Sequence, residues 1–444
     1  MEDNASAREP ATGDVGVKRR TLLVAFVTMF LDLLGFGLII PIQPFYAQSF
    51  DASPTMVTML GAAYSLMQFI FIPFWGRLSD RIGRRPVIMS SVLIAGIGYI
   101  AFATADSLWM LFAARIMSGF GNANIATVQA MIADTTSGEE RTRGMGLVGA
   151  AFGLGFVIGP AVGGVLVQWG LEAPALAAAG LTVLNLLLAI FVLPETNTYR
   201  KKKGQVGPPK IGRIESTKLA LALPNVGLIA GLMCIWTTGF AVMEQSISLF
   251  IEAVWVTGSL VTQEALATLD PAAIEALGAQ ELKRAAGMAA AVLVAVGATS
   301  TVLQGALLGP LSRRFGERAL IRVGMPLAGL GMLMIILSGR TGNFWMMYPS
   351  SMLLAAGTGL CNPVLMSLLS QSSPPNVQGS VLGIGQSASS LGRVLGPAMS
   401  GWLFSMNIEA PAMAGGAMLF VAFLLTFRLH VAPRELTPGD SVST

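Results

Sequence analysis

Stretches of mainly apolar residues, each long enough to cross a bilayer, follow one another along nearly the whole chain. A spanning helix needs about 20 such residues. Stretches of that kind fall near 21–46, 55–75, 87–105, 107–131, 144–168, 173–193, 221–253, 286–308, 319–337, 343–367, 377–405 and 409–429. Only 12% of the residues are charged, against about 25% in soluble domains, so most of the surface is expected to face lipid. The pattern predicts an all-α membrane protein with twelve transmembrane helices, arranged as two pseudo-symmetric six-helix bundles. The first stretch reads as a span and not as a cleavable leader, because it is too long and lacks a small-residue cleavage site.

The basic residues are sorted between the ends of these spans. One side holds Lys18, Arg19 and Arg20, then Arg77, Arg81, Arg84, Arg85, Arg141 and Arg143. It continues through the run from Arg200 to Lys218, then Arg313, Arg314, Arg318, Arg322, Arg428 and Arg434. The other side holds Lys283, Arg284 and Arg340. Lys and Arg favour the cytoplasmic side, which predicts an inner-membrane protein with both termini in the cytoplasm. The organisation expected is a tail at 1–20, a six-helix bundle at 21–193, a basic Gly/Pro-rich linker at 194–220, a second bundle at 221–429 and a tail at 430–444. An external insertion at 256–284 contains Asp270-Pro271, an N-cap followed by a proline at the first helical position, and is expected to form short amphipathic helices.

The two bundles echo each other in sequence. Gly76 to Arg85 (GRLSDRIGRR) follows the second stretch, and Gly309 to Arg318 (GPLSRRFGER) follows the eighth. Gly155, Gly159, Pro160 and Gly164 in the fifth match Gly392, Gly396, Pro397 and Gly401 in the eleventh. Parallel six-helix repeats related by an axis along the membrane normal are a transporter architecture, with the site between the halves.

Several chemistries are excluded or disfavoured. Cys234 and Cys361 both lie in apolar runs and give neither a disulfide framework nor a metal-ligand spacing. His430 is the single histidine and sits at the end of the last stretch, which leaves no basis for a buried zinc site or a Ser-His-Asp triad. No Gly-x-x-x-x-Gly-Lys-Ser/Thr loop is present, so direct ATP drive is not expected. The net charge of +4 reflects sidedness and not nucleic-acid binding. No enzyme activity, cofactor or metal is expected, and a proton gradient is the expected energy source.

The residues that could carry function are those that hydrocarbon tolerates poorly. Asp32 lies mid-span, where an acidic side chain costs roughly 2.5–3.5 kcal/mol on insertion scales. It must face a cavity, have a partner or carry a proton, and a carboxyl that does so can load and release a proton as access alternates. Arg115 in the fourth stretch is its expected partner. Glu244 and Arg393 are two further intramembrane charges, expected to pair, with Glu244 a second proton or cation site. Gln43, Gln68, Asn122, Asn124, Gln129 and Gln245 could hydrogen-bond a small-molecule substrate or tie helices together. Gly155, Gly159 and Gly163 share one helix face. That face, with Pro160 and Gly164, is expected to make a tight seam with the second half. In the Gly76–Arg85 loop, Gly83 permits a turn and Asp80 can seat at a helix N-terminus of the other half. Arg81, Arg84 and Arg85 anchor to headgroups, so the loop reads as a conformational latch.

Gly76 to Pro86 resembles the cytoplasmic signature of the major facilitator superfamily. Gly153-Leu154-Gly155 with Gly159-Pro160 and Gly163-Gly164 resembles the fifth-helix motif of its antiporters. Leu66-Met67-Gln68, Leu108-Trp109-Met110-Leu111 with Arg115, Ile132 to Ser137, Gln378-Gly379 and Gly396-Pro397 are similar to the tetracycline-efflux branch of proton-coupled drug exporters. The resemblance implies a functional role for Asp32 and Gln68 and proton-coupled export of a small amphipathic compound, by a chain that works as a monomer in the lipid bilayer. The chain departs from the branch at Gly98 and Gly329, where acidic residues are usual, and at Ser300, where a histidine is. A proton-coupled symporter importing a nutrient is the alternative on the same fold, and a non-transporting membrane sensor a further one.

Overall fold

A computed structural model of the chain describes residues 12–136, 138–197, 218–219, 221–257, 271–372 and 378–429. Most of the 194–220 linker, Asp270, His430 and the tail beyond it lie outside the described residues. Every regular element among the described residues is helical.

The helices of the first half are α1 (Thr12–Ile39), α2 (Gln43–Gln48), α3 (Pro54–Ile82), α4 (Arg84–Ala103), α5 (Leu108–Gly121), α6 (Ile125–Thr135), α7 (Gly138–Leu166) and α8 (Ala173–Phe191). Those of the second are α9 (Val226–Ile251), α10 (Pro271–Val302), α11 (Leu308–Phe315), α12 (Glu317–Thr341), α13 (Met347–Gln371), α14 (Gln378–Met406) and α15 (Ala410–Thr426). Among the described residues, eight helical segments are long and apolar enough to cross a membrane by length and composition, and Gly153–Trp169 and Ala410–Thr426 are shorter apolar helices. Large apolar side chains such as Phe191, Leu333 and Phe420 stand exposed on the outside of the bundle, as lipid contact requires.

Local sequence sets where these helices start and break. Pro41 and Pro44 lack backbone donors, so the first apolar stretch ends as a helix at Ile39 and resumes as the short α2. Ser53 caps α3, its hydroxyl accepting from Met56 N, with Pro54 at the first helical position. Gly83 (φ +114°) turns the chain from α3 into α4, and Gly316 (φ +76°) makes the same turn between α11 and α12. A left-handed φ favours glycine because no Cβ crowds the backbone. The insertion departs from expectation. Residues from Pro271 onward do not form a separate amphipathic helix but extend the spanning helix as far as Val302, since no proline interrupts that run.

The repeat read in the sequence is visible in the packing. In the first half α1 packs on α7 and α8, α4 on α5 and α8, and α3 on α5. In the second half α9 packs on α14 and α15, α12 on α13 and α15, and α10 on α13. Each pair in one list is the image of a pair in the other. Two seams join the halves, α3 with α14 and α7 with α10, and these are images of each other too.

The glycine motif divides its work differently from the sequence expectation. A Cβ on Gly155 would meet Leu33, one on Gly159 would meet Gly37, and one on Gly163 would meet Leu38. This face therefore packs on α1 of its own half, not on the second half. The second half is met by other faces of α7: Gly164 against Ala290, Gly153 against Thr301, and Phe156 and Val157 against Gly297. The reason is helical phase. Steps of four residues keep one face, and Gly153 and Gly164 lie off it. The mirror motif agrees, with Gly392 and Gly396 seated on α9 and Gly401 crossing to Pro54 and Thr55 of α3.

The two ends of the bundle differ. At the arginine-poor end the halves touch, through the Gly164 and Gly401 contacts and through Gln48 Nε2, which donates to Glu252 Oε2 at 2.8 Å. At the arginine-rich end, residues 304–307 are exposed, and a side chain added at Gly305, Gly309 or Gly383 would meet nothing.

Candidate functional site

The helix that continues the fourth apolar stretch is broken midway by a 3-10 turn, Asn122–Asn124, in which Ala123 leaves helical geometry. The break turns two amides into the bundle. Asn124 Nδ2 donates to Asp32 Oδ2 at 2.9 Å and to Ser91 Oγ at 3.0 Å. Asn122 Nδ2 donates to the Tyr99 hydroxyl at 3.0 Å. From α8, Asn185 Nδ2 donates to Asp32 Oδ1 at 2.8 Å and to Thr28 O at 3.2 Å. Both oxygens of the intramembrane carboxylate thus rest on carboxamides, and both carboxamides are held by a second acceptor.

Arg115 is not in that cradle. It is 3% exposed, and its guanidinium lies over the rings of Tyr64 and Phe102, at 5.0 and 5.7 Å from their centroids. Its Nε and Nη1 are buried without a hydrogen-bond partner. The expected Asp32–Arg115 ion pair is therefore not formed: α5 carries Arg115 to the aromatic side of α3, and the two asparagines reach the carboxylate first. Tyr64 connects the two charges, lying within electrostatic reach of Arg115 and Asp32 and also of Arg393. It stacks on Phe36 at 4.9 Å and accepts from Gln68 Nε2 at 3.0 Å. Gln68 also donates to Asn122 O at 3.3 Å, which places it as helix glue around the same tyrosine.

A small cavity of about 30 Å³ lies between the halves toward the arginine-poor end. Its wall includes Gln43, Tyr64 and Arg115 from the first half and Glu244, Gln245 and Ser248 from the second. Gln245 packs its amide over Gly61, where a Cβ would lie 2.9 Å from Cδ. Glu244 and Arg393 are within electrostatic reach of each other, but Arg393 directs Nη2 to Ser390 Oγ at 3.1 Å and forms no direct ion pair with Glu244. The expected contact pair is thus a loose one, because Arg393 is tied along its own helix. Gln129, on α6, does not line this cavity.

The α3–α4 loop is built around Arg84. Its Nη1 donates to Asp80 Oδ1 and Ser79 Oγ, both at 2.6 Å, and its Nε donates to Asp134 Oδ2 at 2.9 Å. Glu195 caps the start of α4 by accepting from Arg84 N and Arg85 N, at 2.9 and 3.2 Å. Arg85 Nη2 donates to Ile190 O, while Arg81 points outward. Asp80 has a 65% exposed side chain and is engaged by Arg84 of its own half. Among the described residues, the expected contact of Asp80 with a helix end of the other half is not made in this conformation. Gly76 lies beside Ala126.

Sequence reasoning missed Asn185, Tyr64, Asp134 and Glu195. A lone asparagine in the Leu-rich run of α8 was a usable signal for the first. The others depend on which helices touch.

A family model described as Major Facilitator Superfamily matches residues 25–261 and 256–442. The chain belongs to the major facilitator superfamily. Within it, the chain falls in the tetracycline-efflux-like branch. Tetracycline resistance protein, class C, of Escherichia coli is 33% identical over 413 residues, which is 92% of this chain and 96% of that protein. Multidrug resistance protein 2 of Bacillus subtilis (strain 168) is 26% identical over 413 residues, 93% of this chain and 96% of that one. The crystal structure of the human organic anion transporter MFSD10 (TETRAN) matches in fold, with a TM-score of 0.64, 21% identity, and coverage of 94% of this chain and 100% of that one. The facilitator two-bundle fold accounts for the paired seams. A Cβ at Gly98 would lie 2.8 Å from Ser118 N and 3.1 Å from Ala114 O. α4 and α5 therefore cross closely at Gly98, with no room for a side chain.

Proposed function

We propose that this facilitator is a proton-coupled antiporter that exports a small amphipathic organic compound from the cytoplasm. Its spans number twelve, counting α5 and α6 as one interrupted span, and its arginine-rich end lies in the cytoplasm, as the Lys and Arg bias favours. The resistance relatives support export as the direction of transport.

The observation that carries the reading is the Asp32 cradle. Its hydrogen-bond partners are neutral amides, so loading a proton there breaks no ion pair and needs no partner to titrate. A carboxyl in such a setting changes the charge of the bundle interior by one unit each time access alternates. Asp32 takes a proton when the site opens to the arginine-poor side and gives it up to the cytoplasm. The present conformation, shut at the arginine-poor end, is the one that would receive substrate from the cytoplasm. Arg84 holds Asp80 within its own half in this state. In the opposite state Asp80 would be released to the N-terminus of α14, so the loop acts as a latch.

The test uses the full chain in proteoliposomes with an imposed pH gradient. A panel of amphipathic drugs that includes tetracycline is added, and internal pH and drug are both followed. Drug and protons should move in opposite directions. Asp32→Asn should abolish gradient-driven accumulation while retaining drug–drug counterflow. Parallel movement would make the protein a symporter, and drug flux indifferent to pH with Asp32→Asn equal to wild type would refute the coupling site.

A further inference from the structure

The four intramembrane charges are not equivalently satisfied. Asp32 rests on two carboxamides, and Glu244 and Arg393 lie within reach of each other. Arg115 makes no hydrogen bond and no ion pair among the described residues. Its guanidinium is fixed by the Tyr64 and Phe102 rings, and it forms part of the cavity wall between the halves.

We infer that the substrate of this cavity is an amphipathic organic acid, whose carboxylate seats on Arg115 and whose flat apolar body lies against Phe36 and Tyr64. The inference rests on the transport reading above and names the substrate class of that site. A guanidinium presents a planar fork that matches a carboxylate through two parallel hydrogen bonds. Nε and Nη1 belong to different edges of that fork, and both are unmet. A buried cation held by aromatic faces alone keeps its full hydrogen-bonding demand, and an incoming anion is the group that meets it. Neutralising Arg115 in place would also relieve the bundle of an uncompensated charge at the moment the substrate enters.

Two further features fit the rest of an amphipathic substrate. Gln43 Oε1 is buried in the same wall without a donor, so a hydroxyl or N–H on the substrate body has an acceptor waiting. The apolar part of the wall is Phe36, Ile40 and Pro44, with Phe36 already stacked on Tyr64. The cavity is about 30 Å³ here, whereas ligand pockets for organic molecules run from roughly 300 Å³ upward. The cavity therefore widens as the acid enters from the arginine-rich side, while the Gln245–Gly61 contact across the halves keeps it shut toward the arginine-poor end until release.

The test is equilibrium binding to the purified full chain with three matched fluorescent probes: dansylglycine, its neutral amide dansylglycinamide, and the cationic dansylcadaverine. The acid should bind roughly 30-fold or more tighter than the amide, the lower bound expected for a desolvated charge pair, and the cation should not compete. Arg115→Gln should bring acid and amide to equal affinity, and Arg115→Lys should restore part of the difference. Glu244→Gln should leave or strengthen acid binding, by removing a negative charge from the opposite wall. Equal affinity of acid and amide for wild type, preference for the cation, or no binding of any probe would overturn the inference without recourse to a variant. Loss of acid binding in Glu244→Gln would also overturn it. The antiport reading is scored separately: an acid that binds and exchanges in counterflow but ignores the pH gradient would remove proton coupling and leave this site standing.

Discussion

Gly159→Ala tests the packing that fixes Asp32. A Cβ added at Gly159 would lie 2.6 Å from Gly37 Cα, 2.7 Å from Gly37 C and 3.1 Å from Leu38 N. Carbon atoms pack at about 3.5–4.0 Å, so α1 and α7 must part by about 1 Å. All three atoms are backbone, so no side chain can rotate away. Overpacking of this kind costs about 1–3 kcal/mol. Asp32 lies on the same helix as Gly37, and its hydrogen bonds to Asn124 and Asn185 are 2.9 and 2.8 Å long. Shifting α1 by about 1 Å carries those bonds past the ~3.2 Å limit of a good N–H···O bond. The variant should lose thermal stability and gradient-driven transport together. Gly180→Ala is the control, because a Cβ there meets nothing within 4 Å. A thiol-reactive fluorogenic dye reads unfolding directly through the buried Cys361. If Gly159→Ala melts and transports like Gly180→Ala, the close α1–α7 crossing is not what positions the carboxyl.

Two further outcomes follow from ion pairs outside the membrane core. Arg84→Lys should destabilise the α3–α4 loop nearly as much as Arg84→Ala, because Nε and Nη1 serve Asp134 and Asp80 at once and a single ammonium cannot. Asp80 is 65% exposed and Asp134 18%, so the expected cost is about 2 kcal/mol, in the range for losing charged hydrogen bonds of a buried donor, read as faster proteolysis of the loop. Hydrogen bonds from Arg340 hold the Glu409 carboxyl below its ordinary value of 4.5. A depressed carboxyl contributes stability above its unfolded pKa and loses it as pH falls through the folded one. The melting temperature should therefore drop on acidification below about pH 4.5 by slightly less in Glu409→Gln than in wild type. A larger drop in the variant would reverse the sign.

Much of the site could be read from the sequence, but not its connections. Asp32 stood out because a charge flanked by leucines in an apolar run has no bland place to go. Its partners Asn124 and Asn185 are 92 and 153 residues away. Nothing local singles out Asn124 over Gln129, and the lone asparagine in the α8 run does not say which carboxyl it meets. Arg115 was legible as an intramembrane cation, but its setting between Tyr64 and Phe102 depends on the crossing of α3, α4 and α5. The glycine face was correctly placed on one side of α7, while the helix it meets was not.

The sequence alone determined that this chain lives in a bilayer as two repeated helical halves, because the length of an apolar run and the placement of Lys and Arg are answers to lipid that need no partner. Tertiary structure alone decided which polar groups meet inside. Hydrogen bonds reach only about 3 Å, and whether Asp32 finds an amide or a guanidinium at that range depends on helix phase and crossing. No single helix carries that information.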